Sequence, residues 1–122
     1  MYKIAFDVDG TITKNPDLFR LMMKALKDWA KIYILTGNGN NYMPREKRLA
    51  QLESLGITPD CYDELVIAYA KGEIDPPIKE VAIEKGRLCK ELGIDVLIDD
   101  MHSYCEQAKK QCGEKIITFR VK

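Results

Sequence analysis

The chain contains 122 residues, with 19 basic and 19 acidic side chains and a formal net charge of zero. A chain of this length can bury enough surface to fold alone, and we predict a single domain over residues 1–122. Zero net charge gives no overall attraction to a long nucleic acid or an anionic membrane. No apolar stretch approaches the length of a membrane helix, and we expect no signal peptide because the first predicted strand begins so early.

The four cysteines are Cys61, Cys89, Cys105 and Cys112. None of them has the close spacing of a zinc site. Cys105 and Cys112 are seven residues apart, which on a helix places them on one face. We interpret all four as small, mostly buried thiols, which is typical of a protein in the reducing cytoplasm.

The first predicted strand, residues 4–6, is uncharged and ends at two carboxylates one residue apart, Asp7 and Asp9. Strand side chains alternate, so these two are expected to point the same way. Gly10 then allows a sharp turn. Like charges this close should raise at least one carboxyl pKa, unless a hard divalent cation such as Mg²⁺ lies between them. Asp and Gly are also common where a strand simply leads into a turn. The acid pair alone therefore does not distinguish a cation site from an ordinary turn.

Apolar residues at three- and four-residue steps predict helices that pack on a sheet. The first helix starts near Asp17, and the others cover residues 44–55, 78–92 and 103–112. In the first helix, the side chains predicted to face the sheet are Leu18, Leu21, Met22, Ala25, Leu26 and Trp29. A basic cluster in the second, formed by Arg45, Lys47 and Arg48, is interpreted as a solvated face. Gly86 falls inside the third helix and is a candidate break.

The second predicted strand, residues 32–35, leads into Thr36 and a glycine-rich loop that includes Gly37 and Asn38. A threonine hydroxyl and the free backbone N–H groups of such a loop can donate hydrogen bonds to an oxyanion. Because Asn and Gly also favour turns, an ordinary helix-entry loop has the same composition. This stretch is therefore a candidate phosphate-binding loop, with the helix-entry loop as the alternative.

Three more strands are predicted, at residues 65–69, 95–100 and 116–121. The fourth strand ends in adjacent carboxylates, Asp99 and Asp100, a costly pair without a cation or donors nearby. Strands that alternate with helices predict an α/β fold with a mostly parallel sheet. The carboxyl ends of its strands share one edge, where ligands bind. All the candidate polar residues fall at those ends: Asp7, Asp9, Thr36, Asp99 and Asp100.

The string from Asp7 to Thr11, Asp-Val-Asp-Gly-Thr after an apolar strand, resembles the first motif of the haloacid dehalogenase (HAD) superfamily of phosphohydrolases. In that family the first Asp is the nucleophile and forms an aspartyl-phosphate. The second Asp is the general acid/base, and the Thr stabilises a local turn. Thr36 resembles the second motif, and the Asp99–Asp100 pair resembles the fourth, whose acids complete a Mg²⁺ site.

The family's third motif is a lysine between the third and fourth strands, and three lysines compete for it here. Lys85 stands a short helix before Asp99, as in members with a terminal Asp-Asp pair. The alternatives are Lys79, near a helix start, and Lys71, just past the third strand. A lysine beside the nucleophile would offset carboxylate charge and hold a phosphoryl oxygen.

The resemblance spans residues 3–100. It implies a three-layer Rossmann-like domain with strand order 3-2-1-4-5 and helices on both faces. Family members that act on small metabolites usually carry a cap domain as well, but we expect none here. The implied activity is a Mg²⁺-dependent phosphatase whose catalytic residues are Asp7, Asp9, Thr36 and Lys85. The implied substrate-binding residues are Thr36, Gly37, Asn38 and Lys85. The implied metal ligands are Asp7, the backbone carbonyl of Asp9, and Asp99, Asp100 or both.

Two other classes share part of this pattern. A receiver domain of two-component signalling has a similar length, but its phosphoacceptor Asp ends the third strand, where this chain has Ala68 and Tyr69. Its acidic pair also lies at the first strand rather than the fourth. A catalytically idle binding module with the HAD fold is the second alternative.

The short connections leave no insert large enough to be a folded lid, and an open site excludes water poorly. The resemblance therefore implies one of two arrangements. Either a bulky phosphorylated substrate covers the site, or a neighbouring subunit of an oligomer acts as the lid. His102 follows the acid pair and is expected to be exposed to solvent.

Overall fold

The structure is a computed structural model that describes residues 1–37, 43–69 and 78–122. The strands are β1 (Tyr2–Phe6), β2 (Ala30–Gly37), β3 (Glu64–Ala68), β4 (Val96–Asp99) and β5 (Ile117–Arg120). The α-helices are α1 (Pro16–Leu26), α2 (Arg45–Ser54), α3 (Ile78–Leu92) and α4 (His102–Cys112). Short 3-10 helices cover Ile12–Lys14, Pro59–Cys61 and Gly113–Lys115. Among the described residues, no helix is long and apolar enough to cross a bilayer.

All five strands run parallel in one sheet, in the predicted order β3-β2-β1-β4-β5. Strand β1 lies at the centre, where Phe6 pairs with Ile34 of β2 and with Ile98 of β4. A strand with neighbours on both sides and helices on both faces has no surface for polar side chains. This explains the uncharged runs inside the central strands, from Ile4 to Phe6 in β1 and from Ile32 to Leu35 in β2.

Alternation along the central strands divides the apolar side chains between two cores, one on each face of the sheet. The core beneath α1 and α2 includes Phe6, Met23, Ile34 and Leu52. The core beneath α3 and α4 includes Ala5, Cys89, Leu97 and Ala108. The domain therefore has three layers, with helices on both faces of the sheet.

The face of α1 that contacts the sheet is not the predicted one. Phe19 and Met23 are the buried residues of α1, and the Phe19 ring meets the Phe6 ring edge-on at a centroid distance of 6.0 Å. Leu21 is 67% exposed, and Leu18 and Trp29 are exposed as well. Ala25 is exposed too, so the prediction that these four residues face the sheet is wrong. Helix α1 is rotated so that Phe19 packs beneath β1, and Trp29 lies beyond the end of the helix.

An open groove on the sheet face explains why α1 has an apolar stripe wider than its buried side. The groove is lined by Met22 and Leu26 of α1 and by side chains of β4 and the C-terminal segment, including Val96, Phe119 and Val121. Leu18 precedes Met22 by one helical turn and is exposed. The periodicity of the sequence does not distinguish apolar residues that line the groove from those that lie in the core.

Helix α3 runs without interruption through Gly86, so the predicted break there is wrong. A Cβ atom at Gly86 would lie 2.9 Å from the backbone oxygen of Gln107 in α4. The glycine therefore allows α3 and α4 to approach closely. The cysteines agree with the sequence interpretation: all four are free, and only Cys112 is not fully buried.

We predict that Met23→Ala destabilises the fold by about 2–5 kcal/mol, because it leaves a cavity between α1 and the sheet. Leu21→Ala, the matched control on the same helix, should change the free energy of unfolding by less than about 0.5 kcal/mol. Urea unfolding of the two variants beside the wild type measures both values. Equal losses would contradict the packing of α1 described above.

Candidate active site

The turn after β1 fixes the position of Asp7. The Asp7 N–H donates to the Ile98 carbonyl at 2.9 Å, which holds Asp7 to β4 just beyond the last residue of β1. The N–H groups of Thr11 and Thr13 then both donate to the Val8 carbonyl, at 3.2 and 3.1 Å. The chain therefore turns back at once, with the buried Asp7 carboxylate at the base of the turn.

Gly10 is required in this turn for two reasons. Its φ is +77°, a backbone conformation that side chains with a Cβ rarely adopt. A Cβ at this position would also collide with the carboxylate of Asp100. The glycine thus allows the fourth-strand acid to lie directly against the turn that carries Asp7.

Lys85 of α3 joins the two buried acids. Its Nζ donates to Oδ1 of Asp7 at 2.8 Å and to Oδ2 of Asp99 at 2.5 Å, and the lysine side chain is fully buried. The Tyr104 ring of α4 lies beneath the ammonium, with 4.7 Å from Nζ to the ring centroid. Of the competing lysines, Lys79 is exposed at the start of α3, and Lys71 lies outside the described residues.

Burial opposes ionisation of both acids. Burial raises the pKa of Asp7 to about 7; the Asp99 charge adds to this rise and Lys85 opposes it. Burial also raises the pKa of Asp99, again against the effect of Lys85. Burial alone would lower the pKa of Lys85, but the two carboxylates outweigh it and hold that pKa above the usual range. One ammonium therefore faces two buried carboxyl groups, and no second cation pairs with them among the described residues.

Asp100 adds a third acid to this cluster. Oxygens of Asp7, Asp99 and Asp100 lie within 4.8 Å of one another. Both oxygens of Asp99 accept hydrogen bonds, one from Lys85 and one from the Met101 N–H at 3.0 Å. In contrast, Oδ1 of Asp100 is buried with no hydrogen-bond partner in the part of the chain that the structure describes.

This donor set fits a magnesium ion. Mg²⁺ prefers carboxylate oxygens and needs only one or two carboxylates from a protein. When ionised, the three acids and Lys85 together leave two negative charges, which one divalent cation would balance. Oδ1 of Asp100, which has no partner among the described residues, supplies a ligand atom at the cluster.

Thr36 lies at the carboxyl end of β2, beside the central strand. Its side chain is fully buried, and its hydroxyl has no hydrogen-bond partner within the described ranges. A buried hydroxyl without a partner is unfavourable unless a ligand or water completes it. Gly37 follows at the strand end, and Asn38 lies outside the described residues.

Asp9 lies in a different environment from Asp7. Its side chain is 63% exposed, and both its oxygens accept hydrogen bonds from Arg48 of α2, at 3.1 and 2.8 Å. The carboxylate of Asp9 is outside the cluster that Asp7 forms with the two later acids. The expectation that Asp7 and Asp9 point the same way assumed a continuing strand, but β1 ends at Phe6.

Arg48 was missed as a site residue, and its interpretation as part of a solvated face is wrong. Its side chain is only 3% exposed, unlike Lys47 beside it. Arg48 precedes the buried Leu52 by one helical turn, so the periodicity of α2 placed it on the inward face. The run of three charged residues directly before it, residues 45–47, obscured that signal.

Of two residues of α4 that follow the acid pair, Tyr104 contacts the site and His102 faces solvent. Tyr104 contacts the Lys85 ammonium and carried no sequence signal, since it lies within a helix rather than at a strand end. Burial raises its pKa. His102 is exposed and pairs with Glu106 at 2.9 Å, as expected for a solvent-facing histidine.

Comparison with known proteins gives a likeness of fold only. No family model matches the chain, and no curated protein matches it. Among solved structures, a chain from the Pnkp1/Rnl/Hen1 RNA repair complex superposes with a TM-score of 0.69 at 19% sequence identity. The match covers 99% of this chain and 42% of that chain, so the domain corresponds to less than half of that neighbour.

We predict that Lys85→Met destabilises the fold by about 3–5 kcal/mol, because it leaves two buried carboxyl groups without their cation. Lys79→Met removes the same charge at an exposed position of the same helix and should change stability by less than about 0.5 kcal/mol. Urea unfolding at pH 7 without divalent cations measures both. Similar small losses in the two variants would contradict the bridging role of Lys85.

Proposed function

We propose that the protein is a HAD-type, Mg²⁺-dependent phosphohydrolase that cleaves a phosphomonoester through an aspartyl-phosphate on Asp7. The observation that carries this proposal is the buried cluster at the end of the central strand. There a carboxylate, an ammonium and two further acids converge within a few ångströms. The cluster combines a nucleophile, a phosphate-binding cation and a set of metal ligands.

Asp7 is the proposed nucleophile. Its Oδ1 accepts the hydrogen bond from Lys85, whereas Oδ2 accepts a long contact of 3.5 Å from the Thr11 hydroxyl. Oδ2 therefore has a lone pair free to attack phosphorus. Attack forms the bond from Oδ2 to phosphorus and breaks the bond from phosphorus to the leaving oxygen.

Asp9 is the proposed general acid and base. Its exposed position allows it to meet both the leaving group and solvent. In the first step it donates a proton to the leaving oxygen, and in the second it takes a proton from water. That water attacks phosphorus, the bond to Asp7 breaks, and inorganic phosphate leaves.

Three groups are proposed to hold the phosphoryl oxygens: the Thr36 hydroxyl, the Lys85 ammonium and the backbone N–H groups of Gly37 and Asn38. The support for Thr36 is its buried hydroxyl, which lacks a partner among the described residues. The support for Lys85 is its permanent charge beside the nucleophile. Donors fixed in place before the reaction stabilise the charge that develops in the transition state.

The proposed magnesium ligands are Asp7, the backbone carbonyl of Asp9, and Asp99 and Asp100. Bound Mg²⁺ would supply charge that screens the nucleophile from the negative substrate. Because both oxygens of Asp99 already accept hydrogen bonds, the free oxygen of Asp100 favours Asp100 as a direct ligand.

Asp7→Asn should abolish turnover and leave the fold intact. Loss of a covalent nucleophile costs on the order of 10⁴–10⁶ in rate. The fold should be at least as stable as the wild type, because burial makes ionised Asp7 unfavourable and an amide removes that charge. Phosphate release from an aryl phosphate, measured together with a thermal melt, tests both points. The control is Asp17→Asn, an exposed acid on α1, and activity of Asp7→Asn near the wild-type level would refute the nucleophile assignment.

Hydrolysis should require Mg²⁺, and the ion should raise the melting temperature by binding only the folded state. Asp100→Asn should weaken both effects, because it removes the carboxylate with the free oxygen. Thermal melts with and without millimolar Mg²⁺ and a chelator titration of activity are the measurements. A melting temperature unaffected by Mg²⁺, together with chelator-resistant hydrolysis, would exclude the metal site.

The short connection between β1 and β2 leads us to propose that the site is covered from outside the domain. The cover is either a bulky phosphomonoester or a neighbouring copy of the chain. We predict a symmetric oligomer by light scattering, or a preference for bulky substrates in a panel of phosphomonoesters. The fold likeness to a chain of an RNA repair complex adds short RNAs with a terminal phosphate to that panel. A monomer that works best on the smallest phosphometabolites would refute both branches.

A further inference from the structure

Arg48 contacts three separate segments of the chain through the two Nη atoms of its guanidinium. Nη1 donates to Oδ1 of Asp9 and Nη2 to Oδ2, so the pair has the parallel, two-point geometry of guanidinium and carboxylate. Nη2 also donates to the Gly37 carbonyl at 3.2 Å, and Nη1 to Gln51 Oε1 at 2.8 Å. The guanidinium therefore connects the turn after β1, the end of β2 and helix α2.

The contacts of Arg48 are not expected to contribute much to the stability of the fold. Arg48 is almost fully removed from water, and desolvating its charge is costly. Its partner Asp9 is mostly exposed, and ion pairs with an exposed member contribute little net stability. Nε of Arg48 is in addition buried without a partner in the described part of the chain. The geometric result of the contacts is that the carboxylate plane of Asp9 is fixed relative to Gly37.

We propose that Arg48 is a positioning residue that holds Asp9 for proton transfer to the leaving oxygen. This inference rests on the function proposed above and extends it to a helix outside the acid cluster. Asp9 lies on a turn and its side chain is mostly exposed, so its two hydrogen bonds from Arg48 are the contacts that fix the carboxylate within the described part of the chain. A misplacement of about 1 Å in a reacting group can cost 10²-fold in rate.

Leaving-group dependence distinguishes positioning from a merely structural role. A nitrophenolate leaves without protonation, whereas an alkoxide needs the proton from Asp9. The value of kcat/KM covers the steps through release of the leaving group, so the later deprotonation of water does not enter it. The ratio of kcat/KM for p-nitrophenyl phosphate to that for an alkyl phosphate thus reports how well Asp9 is placed. Because both substrates are measured on one preparation, the ratio does not depend on the fraction of protein that is folded.

The experiment compares wild type, Arg48→Met, Arg48→Lys and the control Lys47→Met, an exposed residue of the same helix, in the presence of Mg²⁺. Arg48→Met should lower kcat/KM for the alkyl phosphate and leave kcat/KM for p-nitrophenyl phosphate nearly unchanged. The aryl-to-alkyl ratio should therefore rise by about 10- to 100-fold. Arg48→Lys should restore part of that loss, since an ammonium can reach the carboxylate but cannot bind it at two points. Lys47→Met should leave the ratio unchanged.

A second set of variants tests whether the two residues act together. In an Asp9→Asn background, Arg48→Met should not change the ratio further, because the group to be positioned is already lost. An equal loss on both substrates would overturn the proposal in favour of a structural role. A rise in KM alone on both would indicate direct phosphate binding by Arg48 and would also overturn it. If the wild type hydrolyses no phosphomonoester, the proposed function fails; if it is active and the ratio does not change, only the positioning role fails.

Discussion

The buried ammonium of Lys85 between Asp7 and Asp99 is the interaction on which the candidate site depends. It connects α3 to the ends of β1 and β4, and it allows two carboxyl groups to be buried at the carboxyl ends of these strands. Without a cation at this point, burial would drive both acids to their neutral forms. Lys85 thus makes possible a cluster that the fold alone would not tolerate.

The compensation by Lys85 is incomplete. The third acid, Asp100, adds charge that the lysine cannot balance, and one of its oxygens is buried without a partner among the described residues. The Thr36 hydroxyl nearby at the sheet edge is in the same state. Polar groups left unsatisfied together at one edge lower stability, and functional sites are where proteins carry such a cost. A divalent cation and a phosphoryl group are ligands that would satisfy them.

The acids of the candidate site are held in place in two different ways. Asp7 and Asp99 lie at the ends of buried strands, so the sheet itself fixes their positions. Asp9 lies on a turn and is held from the side by Arg48, which the end of β2 in turn orients. A rigid nucleophile and a separately anchored proton donor match the two roles proposed for the first two acids.

The sequence by itself determined the strands, the helices and the edge at which the acids gather, because uncharged runs and parallel strands follow from local patterning. The strand order came from the family resemblance and agrees with the structure. Only the tertiary structure decided which lysine joins the acids, which side of α1 is buried and that Arg48 lies inward. Lys85 and Asp7 are 78 residues apart, and Arg48 and Asp9 are 39 apart. A long charged side chain is buried only when a partner from a distant segment receives its charge, and a local pattern does not contain that partner.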